Sequence, residues 1–146
     1  MPTKLINGIS LFYEETGTGF PLVWAHEFAG DHRSWSKQVE FFVSRYRVIT
    51  YNARGYPPSS VPPNKDNYSL ENSVEDLKAL LDHRGISQAH IGGLSMGGST
   101  VLNFALKYPE RVRSIIVAGT GTGSIDPDLF RQEIQRYANS ILTDGM

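Results

Sequence analysis

The chain has 146 residues, one domain's worth, and its 40% hydrophobic and 20% charged residues are ordinary for a globular protein with a real core. Its 14 Lys and Arg residues nearly balance 15 Asp and Glu for a net charge of -1, which argues against nucleic acid or an anionic membrane surface as partner. No cysteine is present, so disulfides and thiolate catalysis are excluded, and a reducing cytoplasm is the expected compartment.

The first eight residues lack the apolar stretch of a signal peptide, and no run approaches a membrane span. Lys4 to Ile6 and Ile9 to Glu14 read as two strands joined at Asn7-Gly8, a pair suited to a tight hairpin turn. Pro21 to Ala25 is a short continuous apolar run, as in a strand covered on both faces of a parallel sheet. Trp35, Val39, Phe42 and Val43 fall at helical spacing, and Tyr46 to Tyr51 returns to strand. After a loop rich in Pro and Ser, Ser69 caps a predicted helix through His83, with Val74, Leu77, Leu80 and Leu81 on one face and Gly85 ending it.

Ala89-His90-Ile91 is strand-like and leads into Gly93-Leu94-Ser95-Met96-Gly97. Ser99 to Tyr108 follows as a helix. Ser114 to Ala118 is a further buried-type strand, residues 119–123 form a glycine-rich exit, and Asp126 to Leu142 reads as a last helix. Strands alternating with helices predict an α/β fold, a mostly parallel sheet flanked by helices. The chain reads as a single domain over 1–146.

A Gly-x-Ser-x-Gly between strand and helix is a nucleophile elbow: the serine sits on a strained turn, and small neighbours let strand and helix approach closely enough to expose its hydroxyl. Ser95 is therefore the candidate nucleophile. The four histidines are His26, His32, His83 and His90, so none follows Ser95, although elbow enzymes place acid and then histidine after the serine.

Four motifs in order resemble the α/β-hydrolase fold superfamily. They are residues 26–35 as the oxyanion loop after the third strand, 52–59 as the loop after the fourth, 92–98 as the elbow, and 108–112 as the link into the sixth strand. The resemblance implies oxyanion donors at the backbone N–H groups of Phe28 and Met96, with His26 ordering its turn and His26 and Glu27 lining the site. It also implies members roughly twice this length, whose further half carries two more strands, the acid and the histidine. On that footing the chain is the N-terminal portion of a hydrolase core, truncated after the sixth strand, with about 126–146 as the start of a cap helix. Two positions depart from the pattern. Glu27 stands where the family usually has Gly, which would strain a glycine-only backbone position, and Asn52 stands where Asp is common.

Asp126 and Asp128 read as the cap of the last helix rather than as a triad acid. His32 reads as a loop residue near the site mouth, His83 as a helix-end cation and His90 as a strand residue. The histidines lack metal-ligand spacing, so no metal is expected, and no cofactor; the 119–123 run lacks the Lys-Ser/Thr of a phosphate loop. The leading expectation is a serine hydrolase of small esters, lactones or other acyl compounds. The alternatives are a catalytically incomplete fragment acting as a binding or assembly module and, by resemblance, a haloperoxidase-like or C–C bond hydrolase. The sixth strand should lie at an edge and pair with a second copy of the chain or with a complementing C-terminal half, because it carries no charge or proline from Ile115 to Val117.

Overall fold

The computed structural model describes residues 3–121 and 126–145. Thr122 and Gly123 of the predicted glycine-rich exit lie outside the described residues.

Six strands form one sheet in the order β1-β2-β4-β3-β5-β6. β1 (Thr3–Ile6) and β2 (Ile9–Thr16) make the opening hairpin, turned at Asn7 and Gly8 with φ of 48° and 73°. Two successive left-handed residues match the right-handed twist of the flanking strands, which explains the Asn-Gly pair. β2 runs antiparallel to β4 (Tyr46–Tyr51), whereas β4, β3 (Phe20–Ala25), β5 (Ala89–Leu94) and β6 (Val112–Ala118) are mutually parallel.

Alternation along β3 divides the core. Val23 and Ala25 face a cluster that includes Ile49, Leu77, Leu81, Ile91 and Phe104, built with α2 (Leu70–His83) and α3 (Met96–Lys107). Leu22 and Trp24 face the opposite side, where Trp24 stacks on Trp35 at 4.4 Å between ring centroids. The predicted helix from Trp35 divides in two: a 3-10 turn over His32–Trp35, capped by the Asp31 carboxylate, runs into the short α1 (Ser36–Phe42). Ser69 caps α2 by accepting the Asn72 N–H at 3.0 Å. Gly85 beyond its end has a φ of 65°.

β6 pairs only with β5 among the described residues, and Ile115, Ile116 and Val117 are 37%, 45% and 41% exposed. α4 (Pro127–Asp144) is capped by Asp126, which accepts the Leu129 N–H at 2.9 Å. Its apolar residues Phe130, Ile134, Tyr137 and Ile141 recur at helical spacing and are all exposed. No described helix is long and apolar enough to cross a membrane, and no cluster of metal-ligating side chains occurs among the described residues.

Candidate active site

Between β5 and α3 the chain reverses at one residue. Ser95 has φ 52° and ψ -112°, a left-handed conformation that a residue with a β-carbon adopts only when its surroundings impose it. Here the Ser95 N–H donates to the Ala118 carbonyl at the end of β6 (2.9 Å). The Ser95 carbonyl accepts from the Ser99 N–H (3.0 Å) and the Thr120 hydroxyl (3.1 Å). The first turn of α3 then presses on β3: a β-carbon at Gly97 would overlap the Ala25 carbonyl, and one at Gly98 would overlap the Thr120 hydroxyl. Small residues at these two positions are what let helix and strand meet. The Ser95 side chain is left exposed, and its Oγ makes no hydrogen bond within the described residues.

The loop after β3 is held from below. His26 is 1% exposed, and its Nε2 lies 3.0 Å from the Ala53 N–H while its Nδ1 lies 2.7 Å from the Glu27 carbonyl. An amide N–H can only donate, so Nε2 carries the lone pair and Nδ1 the proton. That arrangement is neutral, in keeping with burial, which pushes the His26 pKa below its ordinary 6.5. Both ring nitrogens are consumed by the backbone, and neither is free to take a proton from Ser95.

Glu27 turns back into its own loop. Its carbonyl accepts the Gly30 N–H (3.2 Å), and its Oε1 accepts the Ser34 hydroxyl (2.8 Å). Oε2 is buried without a partner among the described residues. The strain expected at Glu27 falls elsewhere: the left-handed residue of this loop is Ala29, with φ 62°. Phe28, between them, has its side chain 59% exposed. Its N–H, like that of Met96 at the first position of α3, has no acceptor among the described residues. The α3 dipole adds partial positive charge at Met96.

Asn52 explains its departure from Asp. Its Oδ1 accepts both the His32 N–H (2.9 Å) and His32 Nδ1–H (2.8 Å), while its Nδ2 donates to the Pro57 carbonyl (2.7 Å). An ionised carboxylate has no proton for that last bond. Beneath this loop Arg54 grips Asp76 through Nη2 (2.7 Å) and Nε (3.0 Å), with Asn7 adding a third bond at 2.7 Å.

The remaining histidines make no hydrogen bond to Ser95 among the described residues. His32 packs edge-on against Phe12, His83 lies in the last turn of α2, and His90 bonds the Ser114 hydroxyl across β5 and β6 (2.6 Å). Tyr56 is the residue that sequence reasoning passed over. Its hydroxyl lies 3.5 Å from Met96 Sδ and its ring meets His26 edge-on at 4.7 Å, so it touches both the loop after β3 and the start of α3. The available signal was an aromatic hydroxyl directly after Arg54-Gly55 in a loop already assigned to the site. Under the elbow, a cavity of about 10 Å³ bordered by His26, Arg54, Asp76 and Thr100 has room for one water at most. A hollow of about 420 Å³ between α2 and α3, around Leu70, Val74 and Leu106, contains none of the site residues.

Residues 21–144 match the family model described as alpha/beta hydrolase fold. Over 128 residues the chain is 35% identical to bifunctional epoxide hydrolase 2 of Sus scrofa, covering 87% of this chain and 23% of that protein. Over 122 residues it is 34% identical to 2-hydroxy-6-oxo-6-phenylhexa-2,4-dienoate hydrolase of Comamonas testosteroni, covering 81% of this chain and 42% of that one. Among solved structures, Est816, described as an N-acyl homoserine lactone degrading enzyme, superposes with a TM-score of 0.78 at 30% identity, covering 84% of this chain and 46% of that one. The chain thus spans less than half the length of each of these relatives. It belongs to the α/β-hydrolase-fold family.

Proposed function

We propose that the chain carries the nucleophile and oxyanion site of a serine hydrolase for small esters, lactones or related acyl compounds. The observation that carries this reading is Ser95, exposed on a left-handed strand-to-helix turn, together with Phe28 and Met96 N–H groups that have no acceptor among the described residues. Ser95 Oγ attacks the acyl carbon, the carbonyl oxygen becomes an oxyanion facing those donors, and the acyl–oxygen bond breaks to release the alcohol. Water then attacks the acyl-serine to give the acid and restore the hydroxyl. A base from outside these residues, since His26 has no free nitrogen, takes the Ser95 proton and gives it to the departing alcohol oxygen, then takes one from the attacking water and returns it to Oγ.

The names of the relatives span epoxide, dienoate and lactone substrates. Serine chemistry separates the first from the last. Opening an epoxide with a serine alkoxide leaves an alkyl ether that water does not hydrolyse, so the enzyme would stop after one event. An acyl-serine ester turns over. Acyl substrates therefore fit Ser95 and epoxides do not.

Covalent labelling by a fluorophosphonate, with imidazole added to supply the external base, tests the reading. Labelling in the wild type, its loss in Ser95→Ala and its retention in His26→Ala are expected. An unlabelled wild type would support the rival reading, a binding or assembly module. A loss in His26→Ala as large as in Ser95→Ala overturns the structural role of His26.

A further inference from the structure

We propose that Tyr56 is a positioning residue that ties together the two halves of the oxyanion site, its ring on the His26 loop and its hydroxyl on Met96. The inference rests on the serine-hydrolase reading and concerns how that site is held.

The two donors come from different parts of the chain: Phe28 from the loop after β3, Met96 from the start of α3. No hydrogen bond joins Phe28 directly to Met96, so something else must set their separation. Tyr56 sits where it can. Its ring rests edge-on against His26, the residue that anchors the first loop. Its hydroxyl donates to Met96 Sδ at 3.5 Å, the side chain of the second donor residue.

Tyr56 itself is held firmly. Its N–H donates to the Ala53 carbonyl (3.1 Å), its carbonyl accepts the Ser59 N–H (3.0 Å), and the neighbouring Pro57 carbonyl is bound by Asn52 (2.7 Å). Burial keeps the phenol above its ordinary pKa of 10.0. The oxygen therefore keeps its proton at neutral pH and can act as donor toward the sulfur. A thioether is a weak acceptor, so the link gives geometry more than strength.

Donors that meet an oxyanion act on the transition state, so loosening them should slow the chemical step and leave binding unchanged. The test is the saturation kinetics of fluorophosphonate labelling of Ser95 in the full 146-residue chain, with imidazole at a fixed concentration as the external base, separating the maximal rate from the half-saturating concentration, with the thermal midpoint recorded for each variant. Tyr56→Phe removes only the oxygen, and Met96→Leu removes only the sulfur acceptor. Each should lower the maximal rate about tenfold with half-saturation unchanged, and the double variant should be no slower than either single one. Tyr56→Phe labelled at the wild-type rate overturns the proposal while leaving the nucleophile reading intact. So do effects that multiply in the double variant, a change confined to half-saturation, or a rate loss that merely follows a fall in the thermal midpoint. A wild type that is never labelled overturns the nucleophile reading and this inference with it.

Discussion

The imidazole of His26 accepts the backbone N–H of Ala53 across 3.0 Å, joining the loop after β3 to the loop after β4 at full burial. Because that bond demands a neutral ring, it carries a pH dependence. The folded His26 has its pKa lowered from 6.5 by burial, so the unfolded chain binds the extra proton more readily as pH falls. The stabilisation is fully present above about pH 6.5 and is lost as pH falls through that value toward the folded pKa. Chemical denaturation at about pH 7.5 and pH 5 should show the loss in the wild type and a smaller one in His26→Asn. Equal losses in both would assign the dependence to other groups.

Gly97→Ala should be costly, because the added β-carbon meets the Ala25 and His26 carbonyls, which are backbone and cannot rotate away. Overpacking of this kind costs about 1–3 kcal/mol. The same displacement moves Met96, so Ser95 labelling should slow as well. Gly85→Ala is the comparison: nothing lies within 4 Å of its β-carbon, and only its φ of 65° opposes the change. That variant should lose about 1 kcal/mol and label normally.

Arg54 and Asp76 form a buried pair, their side chains 8% and 3% exposed. Asp76→Asn leaves the guanidinium buried without its counter-charge, and a loss of about 3–5 kcal/mol in urea denaturation is expected. Replacing both, as Arg54→Met with Asp76→Leu, should recover most of it, since no charge is then stranded. A double variant as unstable as Asp76→Asn would show that the pair does more than neutralise itself.

We propose that the 146-residue chain self-associates through β6. That edge offers backbone groups with no strand partner among the described residues, Ile116 on it is 45% exposed, α4 presents an apolar stripe, and a net charge of -1 gives two copies little reason to repel. Light scattering at micromolar concentration should report at least twice 16.3 kDa, and Ile116→Lys should return it toward the monomer. A monodisperse monomer of the wild type sinks the proposal, as does a dimer that survives the lysine.

Much of the fold was legible because its determinants are local. The Asn7-Gly8 turn, the Ser69 cap and the stripe from Val74 to Leu81 each announce their element within a few residues. The elbow was legible for a similar reason: Ser95 stands in a run whose glycines have meaning only where a strand passes tightly into a helix. The start of α1 was read less well, because the Asp31 cap diverts that segment into a 3-10 turn first.

The sequence by itself thus determined the alternation of strands and helices, the serine on the turn between two of them, and the lack of any histidine after it. Only the tertiary structure decided what His26, Asn52 and Tyr56 do. His26 meets Ala53 from 27 positions away, Asn52 meets His32 from 20, and Tyr56 reaches Met96 from 40. Periodicity reports on neighbours along a helix or strand, whereas a hydrogen bond between loops depends on which strands lie side by side. Here the β4-β3-β5 order brings three loops to one end of the sheet, and that order sets which donor faces which acceptor.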